Sequence, residues 1–184
     1  YPPVAPVCPE GAYETRLLDE QALAVLKTGG KVYLSPASEK EHLPSSIQAQ
    51  FTTDFWSVGT FPVQEGGMGQ LIDASHSVFS AFPTETHTNW QWWPMASRRA
   101  IILPEPYSAI VTEMDSYAYM RPMAQLLECR CGGGLLMLSS LGLQDLQQYP
   151  EGRALQAAIY RYMDSEEFRP EQEIAPEVIR ELVK

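Results

Sequence analysis

One stretch of the sequence concentrates aromatic rings beside hydrogen-bonding side chains. Residues 82 to 94 read Phe-Pro-Thr-Glu-Thr-His-Thr-Asn-Trp-Gln-Trp-Trp-Pro and hold three of the four tryptophans. Exposed indoles could stack on the apolar faces of sugar rings or form a hydrophobic docking surface, whereas buried indoles would hold a long loop in place. Because large aromatic side chains contribute mostly to cores and interfaces, the sequence favours burial of this cluster over ligand binding.

The same stretch supplies the candidate residues for binding a carbohydrate or a partner domain. Residues 90 and 92 would share one side of a strand while residue 93 would face the other, so we expect at least one indole in the core. Asn89 could cap a short helix that begins at Trp90, and Pro94 would either limit that helix or start a second one. The candidates are Trp56, Glu85, His87, Asn89, Trp90, Gln91, Trp92 and Trp93.

No catalytic motif is evident elsewhere in the chain. A nucleophile in an amidotransferase-like sheet needs a sharp strand-to-helix turn with flanking glycines, but Cys131 has glycines on one side only. Cys131 assisted by His87 is therefore a minor alternative. Glycoside hydrolysis needs two carboxylates about 5 to 10 Å apart, and the spacing of Glu85, Glu113 and Asp115 does not single them out. We expect Glu113 and Asp115 to be solvated at the end of a strand.

The sequence also lacks a recognisable site for a metal ion or a cofactor. The histidines at 42, 76 and 87 are far apart and form no i, i+4 pair, and the three cysteines lack paired CxxC spacing. The glycines from 66 to 69 match no phosphate-binding loop. We therefore expect neither a metal nor a cofactor, and we expect the thiols of Cys129 and Cys131 to be buried as small hydrophobic groups.

Composition limits the class of partner. The 184 residues include 13 Lys and Arg against 23 Asp and Glu, a formal net charge of −10. This charge disfavours nucleic acid, because phosphate contacts need clustered cations. No apolar run approaches the roughly 20 residues needed to cross a bilayer, so we expect no membrane span. The length suits a single domain, and from the start at Tyr1 we expect either a piece of a longer chain or a processed chain.

The first third of the chain predicts the fold class. Residues 1–12 carry four prolines and are expected to form a linker or arm from a preceding domain. A strand at 13–18, a helix capped by Asp19 and a strand at 31–35 make a βαβ unit, whose two strands must be parallel. Residues 36–67 are a long polar and aromatic excursion without predicted elements.

The later elements complete the predicted architecture. A glycine-rich turn joins strands at 123–131 and 135–139 in an antiparallel hairpin, and residues 152–163 form a helix with one apolar stripe. We therefore predict an α/β, flavodoxin-like or glutamine amidotransferase-like three-layer sandwich over 13–168. Its sheet would be mostly parallel with the hairpin at an edge. An acidic tail with a short helix would follow at 169–184.

Three aromatic motifs carry a resemblance to a known family. They are Phe51-Thr52-Thr53-Asp54-Phe55-Trp56, Phe82-Pro83-Thr84-Glu85 and Asn89-Trp90-Gln91-Trp92-Trp93. In this order they resemble the C-terminal domain of many bacterial family 2 glycoside hydrolases of the β-galactosidase type, over about 13–168. The resemblance implies a class I glutamine amidotransferase-like domain without its nucleophile. Residues 116–119 depart from the tryptophan-rich and asparagine-rich loop of that family, so the sequence gives no support for a surface role there.

The resemblance also implies a function and a location. The chain would be a noncatalytic C-terminal accessory domain that supports the structure or assembly of a carbohydrate-degrading enzyme, with the upstream catalytic domains of the same polypeptide as its partners. No catalytic residue is carried over, since none of the matched positions is catalytic in the family. The resemblance also implies a periplasmic or secreted location, and it is compatible with an oligomeric enzyme. Two alternatives stay open: a carbohydrate-binding module with exposed tryptophans, and an independent amidotransferase-like hydrolase.

Overall fold

The computed structural model describes residues 1, 5–51, 61 and 66–184, which form a mixed α/β fold. The strands are β1 Ala12–Thr15, β2 Lys31–Leu34, β3 Ser46–Gln48, β4 Gln70–Ile72, β5 Arg99–Ile102, β6 Val111–Glu113, β7 Met123–Cys131 and β8 Gly134–Ser139. The α-helices are α1 Glu20–Lys27, α2 Trp93–Ala96, α3 Pro150–Asp164 and α4 Pro176–Leu182. Short 3₁₀ helices span Ser77–Ala81, Trp90–Trp92 and Leu143–Leu146.

The βαβ unit predicted near the start of the chain is present. The Asp19 carboxylate accepts a hydrogen bond from the Ala22 N–H at 2.7 Å and so caps α1 at its first turn. Gly29, at φ +80°, then turns the chain out of the helix in a conformation that other residues rarely adopt. β1 and β2 pair in parallel, as a helical crossover between adjacent strands requires.

The sheet as a whole is mixed rather than mostly parallel. Its strands lie in the order β1-β2-β8-β7-β5-β3, and β6 and β4 branch from β7. Within the described residues only the β1–β2 and β2–β8 pairs are parallel, and the five other pairs are antiparallel. The prediction of a mostly parallel sheet is therefore wrong. Parallel pairs need long crossovers, and the described chain between β2 and β7 forms only short helical turns.

The β7–β8 hairpin forms as predicted but lies inside the sheet instead of at its edge. Gly132 and Gly133 make the turn with φ values of +58° and +100°. β8 pairs with β2 on its other side, and β7 pairs with both β5 and β6. The apolar residues of β8 explain the central position, because a strand that is buried on both faces carries few polar side chains.

Helices cover both faces of the sheet. α1 and α4 pack on the face that carries Val32 and Leu34, whereas α3 packs on the opposite face against Tyr33 and Met137. This division follows from strand geometry, in which successive side chains point to opposite faces. The arrangement is compatible with the predicted three-layer α/β sandwich.

The C-terminal segment completes one of the helical layers. The predicted short helix is present as α4, and Pro176 begins it. Ile174, Ile179 and Leu182 are buried in the same core as α1. The Ile174 N–H donates to the Arg130 carbonyl oxygen at 3.0 Å, which holds the segment beside β7. Residues 169–184 therefore share their hydrophobic core with the rest of the domain.

The long excursion at 36–67 contains one strand that the sequence analysis missed. β3 pairs with β5 at the end of the strand order. Because β3 is only three residues long, its sequence signal is weak. Residues 52–60 and 62–65 of the excursion lie outside the described residues. No helix in the described part of the chain is long and apolar enough to cross a membrane.

Candidate functional site

The tryptophan segment folds as two consecutive short helical turns. The Asn89 carboxamide oxygen accepts from the Gln91 N–H at 2.9 Å and caps the 3₁₀ helix Trp90–Trp92. α2 follows directly with Pro94 in its first turn, where a missing N–H leaves no hydrogen bond unmade. The predicted cap at Asn89 and the predicted second start at Pro94 are both confirmed.

Trp92 is the buried member of the cluster. It has no exposed surface, and its ring meets Phe79 and Phe82 edge-on, with centroid distances of 6.1 and 5.7 Å. The indole N–H donates to the Thr84 hydroxyl oxygen at 2.7 Å, so its polar group is satisfied in the core. The expectation that at least one indole is in the core is confirmed, and Trp92 anchors the segment to the α3 side of the sheet.

Trp90 and Trp93 remain at the surface. Trp90 is 74% exposed and Trp93 is 55% exposed. Their ring centroids are 5.3 Å apart with a tilt of 36°, and Phe51 lies 5.1 Å from each of them. We call Phe51, Trp90 and Trp93 the aromatic face. The preference for burial over exposure therefore holds for Trp92 but not for Trp90 and Trp93, because a helical turn spreads three nearby residues around its axis.

A groove runs beside the aromatic face. Two adjoining clefts of about 470 and 320 Å³ share Trp93, Pro94 and Tyr149 in their walls. The larger cleft is also lined by Arg98 and Gln148, and the smaller one by Trp90 and Glu151. We call the two clefts together the aromatic groove. Its polar residues were absent from the sequence-based candidates, because nothing in the spacing of positions 98 and 148–151 relates them to the tryptophans.

Arg98, Gln148 and Glu151 bring two charged groups and a carboxamide to this groove. Within the described ranges, none of the three makes a side-chain hydrogen bond or an ion pair. Arg98 and Glu151 are partly buried, and Gln148 is exposed. A guanidinium group, a carboxamide and a carboxylate next to aromatic rings offer donors and acceptors to a ligand that also has an apolar face.

The other predicted site residues have different positions. Asn89 and Gln91 are engaged within the protein: Asn89 is the cap, and the Gln91 carboxamide donates to the Pro83 carbonyl oxygen at 2.9 Å and to the Tyr1 hydroxyl. Glu85 and His87 are exposed, and His87 forms an antiparallel bridge with Leu71 of β4. Trp56 lies outside the described residues. The fold thus brings Trp90 and Trp93 together. Of the polar candidates, Asn89 and Gln91 have structural roles, and Glu85 and His87 are exposed to solvent.

The thiol nucleophile considered from the sequence lies in an unreactive environment. Cys131 has no exposed surface and packs in the core of α1 and α4. Burial, and then the charges of Glu177 and Glu173, raise the pKa of the Cys131 thiol to about 11, so little thiolate forms at neutral pH. His87 lies on the exposed loop beside β4 instead. Cys129 is buried as well, and both are free cysteines, as expected.

Glu113 and Asp115 are buried, so the expectation that both are solvated is wrong. Glu113 is 1% exposed and the Asp115 side chain 2%. One oxygen of the Glu113 carboxyl accepts from the Gly69 N–H at 3.1 Å, and the other has no partner. Burial, opposed by hydrogen bonds from Gly69 and Gln50, raises the pKa of Glu113 to about 8. The backbone at Gly67 packs directly on the carboxyl group, since a Cβ atom at this position would lie 1.9 Å from Glu113 Oε1.

Asp115 organises the loop that follows β6. Its carboxylate accepts from the N–H groups of Ser116 and Arg121, both at 2.8 Å, and from the Arg121 guanidinium at 2.7 and 3.1 Å. Burial alone would raise the pKa of Asp115, but the bonds from Arg121 and Ser116 outweigh burial and lower it. Residues 115–121 therefore form a loop closed at both ends by one carboxylate, which we call the clamped loop.

The clamped loop presents hydrophobic side chains to solvent. Tyr117 is 58% exposed, Tyr119 is 57% exposed and Met120 is 79% exposed. Met120 has a φ of +52°, a conformation that is unfavourable for a residue with a side chain. The Arg121 guanidinium lies 4.7 Å above the Tyr119 ring. Sequence analysis found no support for a surface role here, but the structure exposes three large side chains of this loop.

A third cleft, of about 740 Å³, is lined by His76 and by three glutamates, at positions 128, 167 and 171. His76 Nδ1 accepts from the Val78 N–H at 3.2 Å and so caps the 3₁₀ helix Ser77–Ala81. Its Nε2 lies 3.6 Å from a Glu128 carboxylate oxygen. The cap accounts for His76 as a structural residue. No group of three or more His, Cys, Asp or Glu side chains that could hold a metal ion occurs in the residues that the structure describes.

Comparison with known proteins gives the family of the chain. A search of curated proteins found no match. A family profile described as "Domain of unknown function (DUF8487)" matches residues 13–184. The match leaves out the proline-rich arm and includes the C-terminal segment that packs beside β7. The chain therefore belongs to the DUF8487 family of domains.

Proposed function

We propose that this chain is a noncatalytic C-terminal accessory domain of a β-galactosidase-type family 2 glycoside hydrolase. The resemblance of the three aromatic motifs supplies the identity of the enzyme, and the layered α/β architecture agrees with a glutamine amidotransferase-like domain. The partners of the domain are then the upstream catalytic domains of the same polypeptide. The enzyme that carries it acts on carbohydrate in the periplasm or outside the cell.

The observation that carries the proposal is the clamped loop. A buried carboxylate and an unfavourable backbone conformation at Met120 hold Tyr117 and Met120 in the solvent. A non-glycine residue at positive φ persists when the surrounding structure imposes it, and such residues cluster at functional sites. Exposed apolar side chains grouped on one surface are typical of an interface. The loop therefore serves as the surface that packs against a neighbouring domain of the enzyme.

The chemistry of the described residues supports a noncatalytic role. The cysteine thiol that sequence analysis considered is buried with a raised pKa, and Asp115 is fully engaged by Arg121 and the loop backbone. Glu113 is closed off by the backbone at Gly67. A carbohydrate-binding module is the second candidate, because the aromatic groove places exposed indoles beside unengaged polar groups.

The test compares loop variants in the complete enzyme and in the isolated chain. We expect Tyr117→Glu with Met120→Glu to lower the thermal midpoint of the complete enzyme by several degrees or to dissociate it, because interface residues often contribute more than 1 kcal/mol each. The isolated chain should keep its midpoint. Leu17→Glu is the matched control, since Leu17 is 47% exposed but lies outside the loop.

Two results would overturn the proposal. The first is a complete enzyme whose assembly, stability and activity are unchanged both by the loop variants and by deletion of the whole domain. The second is a full reading frame that encodes this domain without an upstream family 2 catalytic barrel.

A further inference from the structure

We propose that the aromatic groove is a binding site for an uncharged saccharide. A pyranose ring would stack on the exposed face of Trp93 or Trp90, and its hydroxyl groups would bond to Glu151, Arg98 and Gln148. The inference rests on the proposed function only in that the enzyme acts on carbohydrate. In this inference the aromatic groove binds a saccharide, whereas the clamped loop contacts a neighbouring domain.

The exposed indoles provide an apolar surface for a sugar ring. One face of a pyranose consists of C–H groups, and it gains free energy by leaving water for an aromatic ring. Trp90 and Trp93 offer two such rings, 5.3 Å apart between centroids and tilted by 36°. Both indoles line the smaller cleft together with Pro94 and Tyr149, so a sugar ring in that cleft would lie against aromatic surface.

The exposed indoles are attached directly to the buried part of their segment. Trp93 begins α2 directly after the 3₁₀ turn that Asn89 caps, and buried Trp92 fixes this turn to the core. Phe51 meets the Trp93 ring at an angle of 69° and supports it from the side. The indoles are thus held in place before a ligand arrives, which reduces the entropy lost on binding.

Polar side chains line the groove beside the indoles. Glu151 shares the smaller cleft with Trp90, Trp93 and Tyr149, and its carboxylate can accept hydrogen bonds from hydroxyl groups of a stacked ring. Arg98 and Gln148 line the adjoining cleft, where they can bond a second sugar unit. In the described part of the chain these three side chains have no hydrogen bond or ion pair to give up.

The lining of the groove has no formal net charge, because it contains one cation, Arg98, and one anion, Glu151. The chain as a whole carries a formal net charge of −10. A uronic acid polymer would be repelled by this field, and a cationic ligand would meet the guanidinium group. The groove therefore suits a neutral oligosaccharide or polysaccharide.

The experiment measures binding to the chain by titration calorimetry with neutral galacto-, xylo- and cello-oligosaccharides. Affinity electrophoresis in gels that contain galactan, xyloglucan or polygalacturonate extends the panel to polymers. We expect saturable binding to at least one neutral saccharide and weaker retardation by polygalacturonate. Trp93→Ala and Trp90→Ala should each weaken binding by roughly tenfold or more, and Glu151→Gln by a few-fold.

Matched controls separate a binding effect from a folding effect. Tyr117→Ala removes an equally exposed aromatic ring from the clamped loop and should leave saccharide binding unchanged. Each variant must keep the thermal midpoint of the parent chain, which is expected because Trp90 and Trp93 are largely exposed. A loss of binding in Tyr117→Ala equal to that in Trp93→Ala would contradict the site.

The outcomes also distinguish this inference from the proposed function. Absence of binding across the neutral panel, with the chain folded, would overturn the saccharide site while the loop test in the complete enzyme stands independently. Trp93→Ala that dissociates the complete enzyme would instead identify the groove as an interface between domains and likewise overturn the saccharide site. Saccharide binding, together with a complete enzyme that tolerates the loop variants, would support the saccharide site and overturn the role of the clamped loop as an interface.

Discussion

At the scale of single residues, Glu113 links the fold to pH. Its carboxyl group is buried against Gly67, and its pKa of about 8 compares with a usual value of 4.5. Below about pH 4.5 the folded and unfolded chains are both protonated at this group. Between about pH 4.5 and 8 the unfolded chain loses the proton while the folded chain keeps it. Glu113 therefore makes the free energy of unfolding fall as pH rises through this window.

We predict that Glu113→Gln reduces this pH dependence. The wild-type free energy of unfolding should fall by on the order of a few kcal/mol more between pH 5 and 8 than that of the variant. The measurement is urea unfolding at several pH values, and the slope against pH is the readout. Glu85→Gln removes the same charge from an exposed position and should leave the slope as it is. Equal slopes in the wild type and Glu113→Gln would refute the prediction.

At the scale of elements, the close contact between α1 and the β7–β8 hairpin depends on Gly134. A Cβ atom at this position would lie 2.5 Å from the Gly30 carbonyl oxygen and 2.8 Å from the Leu26 backbone. These are rigid backbone atoms, so the clash can be relieved only by moving the helix or the strand. Leu135, next in β8, donates its N–H to the Gly30 carbonyl oxygen at 3.0 Å, which depends on the same approach.

We therefore expect Gly134→Ala to lower the free energy of unfolding by about 2 to 3 kcal/mol or more, since overpacking at a rigid contact has costs of this order. Gly11→Ala is the comparison, because a Cβ atom at Gly11 has no neighbour within 4 Å. Denaturation midpoints of the two variants measure the difference. Similar midpoints would mean that the helix can shift freely and that the contact does not constrain the sheet.

At the scale of the whole molecule, the C-terminal segment belongs to the same core as the N-terminal βαβ unit. Ile179 of α4 has no exposed surface and lies in the hydrophobic cluster of Leu26 and Val32. Its neighbour Arg180 is exposed. Because β1, β2 and α4 surround one cluster, the segment should unfold together with the rest of the domain.

Replacing Ile179 with Ala tests this cooperativity. We predict a loss of about 2 to 5 kcal/mol in the free energy of unfolding, with a single transition retained. Arg180→Ala should stay within about 0.5 kcal/mol of the wild type. If Ile179→Ala instead produces a separate early transition and leaves the main midpoint in place, the segment is an independent appendage.

Local signals predicted the parts of the fold that depend on neighbouring residues. The cap at Asp19, the cap at Asn89 and the glycine turn at 132–133 each involve groups within a few positions of one another, and all three are confirmed. The order of the sheet is set by pairing between distant segments, such as β8 with β2. Periodicity within a strand carries no information about its partner, so the mixed topology could not be read from the sequence.

The candidate site was predicted in part for the same reason. The tryptophans are conspicuous in sequence, but which of them is buried depends on the angle at which their short helix meets the sheet. Arg98 lies in the turn between α2 and β5, and Glu151 lies in the first turn of α3, so Glu151 joins the groove only through the packing of α3 beside α2. The clamped loop was missed because its exposure results from one buried carboxylate, Asp115, whose partners lie across the loop.

Trp92 is buried whereas Trp90 and Trp93 are exposed, so the three indoles should differ in their fluorescence. An indole sealed among apolar rings emits at shorter wavelengths than one in water, and iodide ions quench only the emission of the latter. Within four consecutive residues the chain thus holds one chromophore that reports on the core and two that report on the surface. In a Trp56→Phe background, a quencher separates the two signals in a single spectrum, so occupancy of the surface and melting of the core can be followed simultaneously without an added dye.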